Sequence, residues 1–249
     1  MASYLVTGSS RGIGLALVTA LASKPTTEVG KVFAASRTET DSLRRLTVKS
    51  GGRVEWLPLE VSSQESVKQA VSKVAESLGG SGLDVLINNA GVGSKWNKSE
   101  DMTDLEDVFK VNVFGVHAVT SAFLPLLKKG SLKKIIMVSS ILGSIQMASA
   151  LKAMLVPAYK ISKAALNSLT VQYALELEGE GFTVVPISPG YAKTDLSGNQ
   201  GDITPEQSAN AVLNFASRMT TVDNGKFYDL GAMKDAPPPS TYFGENPPW

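Results

Sequence analysis

Seven short apolar runs, rich in β-branched residues, alternate along the chain with longer amphipathic runs. The apolar runs are hydrophobic almost throughout, which is typical of strands covered by helices on both faces. Strand and helix in alternation predict parallel β-α-β units. The pattern therefore predicts an α/β fold with a doubly wound parallel β-sheet of seven strands, flanked by helices on both faces. The expected strands cover residues 4–7, 31–36, 53–59, 83–88, 134–139, 182–188 and 226–230.

Helical patterns fill most of the segments between these strands. Pro125 lies inside the fourth of them and is expected to bend or break that helix. No internal repeat or flexible linker precedes residue 235, so residues 1–249 are expected to form a single domain. Residues 235–249 are proline-rich and should form an irregular tail. The expected helices cover residues 12–23, 41–49, 63–78, 105–129, 158–177 and 205–219.

Composition excludes several classes of function. The chain has no cysteine, so disulfides, thiolate nucleophiles and cysteine-ligated metals are excluded. His117 is the only histidine, and we expect it to have a structural role and no metal to be bound. A net charge of +1 gives no sign of a nucleic-acid or acidic-membrane partner. Neither a secretory leader nor roughly 18 uninterrupted apolar residues are present, so we expect a cytoplasmic protein without a membrane partner.

A glycine-rich turn, TGSSRGIG at residues 7–14, stands directly between the first strand and the first helix. Glycines there permit a tight turn and let the backbone approach a pyrophosphate, and the helix N-terminus offers free N–H groups. Glycines also occur in ordinary turns, but this placement is the one found in Rossmann-like dinucleotide sites. The residues expected to contact a dinucleotide here are Gly8, Ser10, Arg11, Gly12, Ile13 and Gly14.

The residues that end the second strand bear on the choice of dinucleotide. Ser36 and Arg37 stand where an acidic residue would hold a ribose 2′-hydroxyl, whereas an arginine suits a 2′-phosphate. Arg11 lies close enough to form a second guanidinium contact, and Ser36 can donate a hydrogen bond. Both arginines are also typical of a solvated surface. We interpret the pair as favouring NADPH/NADP+ over NADH.

Polar and small residues follow the fourth strand as Asn88-Asn89-Ala90-Gly91. Small residues at the end of a buried strand let the backbone lie against a cofactor, and the same residues favour an Asx-type turn. The two interpretations are compatible. We expect Asn88, Ala90 and Gly91 to contact the cofactor.

Tyr159 and Lys163 are four positions apart and share one face of the expected helix. A tyrosine has an ordinary pKa near 10, and a neighbouring ammonium favours the phenolate and should lower that pKa. Lys163 can also hydrogen-bond the nicotinamide ribose. The alternative is an ordinary amphipathic helix with a half-buried tyrosine and a solvated lysine.

Three further polar residues bear on the chemistry. Ser139 and Ser140 end the fifth strand, where a hydroxyl can orient a carbonyl group and stabilise charge on its oxygen. Asn112 lies among apolar residues of a helix, as either a satisfied core amide or part of a water-linked proton path. Spacing leaves both alternatives open.

In combination, these motifs resemble the short-chain dehydrogenase/reductase family over nearly the whole chain. VSSILGSIQ and PGYAKTDL are similar to sniffer-type and C-factor-type carbonyl reductases, and the tail ending in Trp249 is similar to fungal norsolorinic acid ketoreductase-like enzymes. Ser140 is preferred to Ser139 because the family's serine precedes an x-x-Gly step, here ending at Gly143. The tetrad that the resemblance implies is Asn112, Ser140, Tyr159 and Lys163. The further cofactor contacts that it implies are Glu60 and Val61 at the adenine, and Pro189, Gly190, Ala192 and Thr194 at the nicotinamide end.

The combined prediction is an NADPH-dependent reduction of a small ketone or aldehyde, with Tyr159 as the general acid. An oxidative alcohol or steroid dehydrogenase, or an NADP-binding redox sensor without turnover, are the alternatives. Residues 146–155 are expected to form a large loop beside the substrate. Residues 148–157 are expected to wall the substrate pocket, with a membrane-leaning patch or a packing surface as the alternatives. Residues 196–204 are expected to form a mobile lid. A homodimer or homotetramer is expected by resemblance, with a monomer left open.

Overall fold

The computed structural model describes residues 1–231 and 246–249. Seven parallel strands form one sheet in the order β3-β2-β1-β4-β5-β6-β7. The predicted doubly wound, Rossmann-like sheet is therefore confirmed, although the last strand has 2 residues where five were expected. The strands are β1 (Ala2–Thr7), β2 (Val29–Ser36), β3 (Val54–Pro58), β4 (Val85–Asn88), β5 (Lys134–Val138), β6 (Thr183–Ser188) and β7 (Tyr228–Asp229).

Thr40, Ser63 and Thr204 each cap free backbone amides of the helix that follows. The Ser63 side chain accepts from the amide of Ser66, and Thr204 and Gln207 form a reciprocal capping box. These caps agree with the predicted helix starts. The helices are α1 (Gly12–Ser23), α2 (Asp41–Lys49), α3 (Gln64–Ser77), α4 (Leu105–Phe109), α5 (Val116–Lys129), α6 (Pro157–Leu177) and α7 (Pro205–Arg218).

Two hydrophobic cores lie on opposite faces of the sheet, because successive strand residues point to opposite sides. Leu5 and Leu86 belong to the core beneath α3, α5 and α6. Their chain neighbours Val6 and Ile87 belong to the core beneath α1 and α7. The continuous apolar character of the strands follows from this burial on both faces.

The run from Leu105 to Lys129 is continuous, with a π-helical turn at Lys110–Gly115 between α4 and α5. Of the expected bend or break at Pro125, the break is wrong, because α5 passes through Pro125, which lies on the exposed side of the helix. Phe123 and Leu127, buried on the opposite side, hold the helix against the sheet. By length and composition alone this run could cross a membrane, but 44% of its most apolar window is buried inside the fold. It packs here as a core helix.

Candidate active site

The glycine turn has the geometry that a dinucleotide cradle needs. Gly8 and Gly12 have φ of +69° and +54°, in the left-handed region that glycine tolerates best. A Cβ on Gly14 would collide with the carbonyl oxygen of Gly8. Ser10 and Ile13 lie in the same turn and first helical turn, and the carbonyl of Ser10 accepts from Thr40 Oγ1 at 3.1 Å. The turn is thus held open above the N-terminus of α1, where a phosphate fits.

Asn89, which sequence reasoning did not single out, fixes this turn. Its Nδ2 donates to the carbonyl of Thr7 at 2.9 Å and to that of Gly8 at 3.3 Å. Thr7 Oγ1 in return accepts from the amides of Asn89 and Ala90 at 3.0 and 2.9 Å. The end of β4 is therefore tied to the end of β1.

The side chain of Asn88 does not face the cradle, and a cofactor contact through its backbone stays a prediction. Its side chain is buried in the core, where Nδ2 donates to Thr120 Oγ1 at 2.9 Å and contacts the sulfur of Met137. Residues alternate across the strand, so only one of the two asparagines can face the edge. Ala90 and Gly91 do lie at the site, since a Cβ on Gly91 would be 3.8 Å from Lys163 Nζ.

The two arginines expected to hold a phosphate are exposed and paired with carboxylates. Arg37 Nε lies 3.7 Å from the carboxylate of Glu60, and Arg11 Nη1 lies 3.0 Å from that of Asp195. Exposed pairs of this kind contribute about 1 kcal/mol or less, so neither guanidinium is held away from a phosphate. Val61, next to Glu60, packs against Gly115 of the π-helical turn.

Ser36 differs from its predicted role as a phosphate donor. Its hydroxyl donates to the carbonyl of Thr38 at 2.9 Å and accepts from Trp56 Nε1 at 3.1 Å. A hydroxyl has one proton, and here that proton is already used. Ser36 therefore holds the end of β2 in place. The guanidinium groups of Arg11 and Arg37 remain as the donors to a 2′-phosphate.

The start of α6 brings Tyr159, Lys163 and Ser140 together at the end of β5. Pro157 occupies the first turn of α6, where its missing N–H costs nothing. Lys163 Nζ lies 5.5 Å from the centroid of the Tyr159 ring and donates to the carbonyl of Val138 at 2.8 Å. The side chains of Tyr159 and Ser140 are hydrogen-bonded to each other.

Burial sets the protonation of this group. It raises the pKa of Tyr159 to about 12, against which the Ser140 hydrogen bond acts, and lowers the pKa of Lys163 to about 8. The predicted lowering of the Tyr159 pKa is wrong in this structure, because desolvation of the phenolate raises that pKa and outweighs the Ser140 hydrogen bond. Tyr159 keeps its proton at neutral pH.

Ser139 and Ser140 point to different neighbours. Ser140 Oγ faces Tyr159 and accepts from the amide of Leu142 at 3.2 Å. Ser139 is buried, and its hydroxyl donates to Asn167 Oδ1 at 2.5 Å. The structure thus places Ser140, the serine chosen from the sequence, beside the tyrosine.

Asn112 is fully buried in the π-helical turn. Its Oδ1 accepts from the amide of Val92 at 2.9 Å, and its Nδ2 donates to the Val92 carbonyl at 3.0 Å and to Ser162 Oγ at 3.1 Å. Of the two alternatives, these bonds favour a satisfied amide that braces the loop after β4 against α6.

The loop after β6 crosses to the glycine turn. The carbonyl of Pro189 accepts from Ser208 Oγ at 2.7 Å, and Gly190 has φ of +86°. Ala192 forms a parallel β-bridge with Ile203. This bridge joins the two ends of the loop that contains the predicted lid segment. Farther along, a Cβ on Gly12 would lie 3.3 Å from the methyl group of Thr194, so this loop lies over the turn.

The segment between Ser140 and Tyr159 extends toward two other parts of the chain. The amide of Asn97, in the loop after β4, donates to the carbonyl of Leu155 at 2.9 Å. The amide of Gln146 donates to the carbonyl of Trp249 at 2.8 Å. Of the predicted tail, residues 235–245 lie outside the described residues, whereas residues 246–249 pack on this segment.

The model of the short chain dehydrogenase family matches residues 3–222. The chain belongs to the short-chain dehydrogenase family. It is 33% identical to an uncharacterised oxidoreductase of Schizosaccharomyces pombe, with 93% of this chain and 96% of that protein covered. A short-chain dehydrogenase of Penicillium roqueforti is 31% identical, with 86% and 87% covered.

Two solved structures share the architecture of this short-chain dehydrogenase. An NADPH-bound carbonyl reductase from chicken fatty liver has a TM-score of 0.87 at 32% identity, covering 100% of this chain and 99% of that one. The carbonyl reductase Sniffer of D. melanogaster has a TM-score of 0.87 at 28% identity, with both chains covered to 100%. The predicted resemblance to carbonyl reductases is confirmed. The chain is an oxidoreductase of a family that binds a nicotinamide cofactor and acts on small molecules.

Replacing Gly14 by alanine tests the cradle. We expect Gly14→Ala to weaken nicotinamide dinucleotide binding at least about tenfold, because the new Cβ would collide with the Gly8 carbonyl. Fluorescence titration with NADPH measures this loss. Gly179→Ala is the matched control, since a Cβ on Gly179 meets nothing within 4 Å. Equal affinities for the two variants would contradict the assignment.

Proposed function

We propose that this short-chain dehydrogenase uses NADPH to reduce a ketone or an aldehyde to an alcohol. The observation that carries the proposal is the cluster of Tyr159, Ser140 and Lys163 at the same sheet edge as the glycine turn. Ligands of doubly wound sheets bind in the crevice outside the carboxyl ends of the strands. The carbonyl reductase from chicken fatty liver, which was solved with NADPH bound, supports this proposal.

Tyr159 is the general acid in this proposal. The nicotinamide, when bound, supplies the hydride. Tyr159 holds its proton at neutral pH and donates it to the carbonyl oxygen as negative charge develops there. The hydroxyl of Ser140, already beside the tyrosine, orients that oxygen.

Lys163 and Asn112 support the tyrosine in different ways. The Lys163 ammonium stabilises the phenolate that Tyr159 becomes after it gives up the proton, and it lies near enough to Gly91 to reach a cofactor ribose. Asn112 is a positioning residue, because its bonds to Val92 and Ser162 hold the two elements on either side of the site.

The buried ammonium beside the phenol bears on the alternatives. The residue that gives a proton to a carbonyl oxygen takes it from an alcohol in the reverse reaction, so oxidation of an alcohol stays an alternative. A redox sensor without turnover would not need the ammonium of Lys163 beside Tyr159. The site therefore favours an enzyme over a sensor.

Tyr159→Phe tests the function directly. With a panel of diketones and quinones, we expect kcat to fall at least about 100-fold, since a positioned proton donor is lost. The affinity for NADPH should change less than about threefold, because the phenyl ring keeps the shape of the site. Consumption of NADPH and a cofactor titration provide the two measurements.

The matched control is Tyr173→Phe on the same helix. Its hydroxyl is bonded to His117 Nδ1 at 2.9 Å, in the structural role expected for that histidine. This variant should keep its rate. Near-unaltered turnover in Tyr159→Phe would contradict the assignment of the acid, and no turnover by the unaltered chain with tight NADPH binding would favour the sensor.

The pH dependence should report Lys163. We expect kcat for reduction to fall as the pH rises through about 8, because the ammonium that stabilises the phenolate loses its proton there. Below that pH the ammonium is present and the rate should be level. Lys163→Arg should keep its charge and lose this fall. Lys160→Arg, one helical turn earlier, is the control and should retain the fall in kcat. The same pH profile in the unaltered protein and in both variants would contradict the role of Lys163.

Arg37→Asp tests the choice of NADPH. We expect the ratio of kcat/KM for NADPH to that for NADH to drop at least about tenfold, because a charge-assisted contact to the 2′-phosphate is replaced by repulsion. Arg45→Asp, an exposed arginine of α2 bonded to Ser42, is the control and should leave the ratio unchanged. An unchanged ratio in Arg37→Asp would leave Arg11 as the only phosphate ligand and contradict the predicted clamp.

A further inference from the structure

Residues 246–249, which we call the closing segment, are bound to the loop that follows β5. The carbonyl of Pro248 accepts from Ser144 Oγ at 2.6 Å. The carbonyl of Trp249 accepts from the amide of Gln146 at 2.8 Å. Two backbone groups are therefore fixed against a loop that lies about a hundred residues earlier in the sequence.

That loop carries Ser140 at its start. Ser140 caps a short 3₁₀ turn at Ile141–Gly143, and Ser144 follows directly. Gly143 lies so close to α6 that a Cβ on it would be 2.8 Å from the backbone carbon of Lys163. The closing segment is thus bound one to three residues beyond the turn that places the serine beside Tyr159 and against the helix of Lys163.

One face of the Trp249 indole ring is covered by another aromatic ring. Its ring stacks on that of Phe227, with centroids 5.7 Å apart and planes at 23°. Phe227 is 1% exposed, whereas Trp249 remains 44% exposed. Ile145, 77% exposed, stands between the two residues that bind the closing segment. A flat apolar surface therefore remains in contact with solvent beside the loop of the reacting serine.

We propose that Trp249 is a specificity-determining residue, whose exposed ring binds the flat apolar part of a carbonyl substrate. The proposal rests on the proposed function, because it assumes that the carbonyl group lies at Ser140 and Tyr159. Ser144 and Gln146 bind the backbone carbonyls of Pro248 and Trp249. Phe227 packs against one face of the Trp249 ring. A substrate with an aromatic ring beyond its carbonyl group reaches this surface, whereas a small aliphatic aldehyde does not.

Kinetics with two aldehydes test the proposal. In Trp249→Ala we expect KM for 4-nitrobenzaldehyde to rise about tenfold with kcat nearly unchanged, as for the loss of one aromatic partner. The kcat/KM for propanal should stay the same. Trp249→Phe should restore most of the affinity, because it keeps an aromatic face. Leu132→Ala, 40% exposed and placed before β5 at the opposite sheet edge, is the control and should change neither aldehyde.

Binding without hydride transfer separates this inference from the proposed function. Calorimetry of 4-nitrobenzaldehyde with the protein saturated in NADP+ should show about tenfold weaker binding in Trp249→Ala. If that loss is seen but the unaltered chain reduces neither aldehyde, the proposed reduction is wrong, whereas the binding of the aromatic ring by Trp249 stands. Equal losses for both aldehydes, no loss for either, or no binding of 4-nitrobenzaldehyde to the unaltered chain would overturn the role of Trp249.

Discussion

Burial of a parallel sheet on both faces is the constraint on which this structure depends. Each strand sends alternate residues into opposite cores, as Leu86 and Ile87 of β4 do. A sheet covered in this way has its chain reversals, and most of its accessible polar groups, at its edges. All seven strands are parallel, so their carboxyl ends meet at one edge. The glycine turn, Ser140 and the loop after β6 therefore lie together although the sequence separates them.

Hydrogen bonds between these loops complete the site. Asn89 ties the end of β4 to the glycine turn, and Asn112 ties the next residues to α6. These bonds join buried polar groups, each of which would be costly to leave unpaired. The same packing buries Lys163 and covers most of Tyr159. Packing at the edge is thus also the cause of the shifted pKa values.

The sequence predicts the helices and strands and most of the residues at the carboxyl edge of the sheet. The predictions that fail do so for physical reasons. Periodicity locates α1 and α2 at the observed residues, and motif spacing selects Ser140. The orientation of Asn88 depends on strand register, and the partners of Ser36 depend on Trp56 of another strand. Neither is visible in local sequence. The pKa of Tyr159 depends on desolvation by the whole fold, and the contact of Trp249 with Gln146 joins segments that no pattern connects.

The protonation state of Tyr159 can be measured without turnover. Ring-labelled tyrosine, followed by ¹³C nuclear magnetic resonance and assigned with Tyr159→Phe, gives the pKa of this phenol. We expect the Tyr159 signal to stay that of the protonated ring up to about pH 10, because burial raises its pKa to about 12. A titration with a midpoint near neutral pH would show that the Lys163 ammonium outweighs burial and that Tyr159 is not held protonated as proposed.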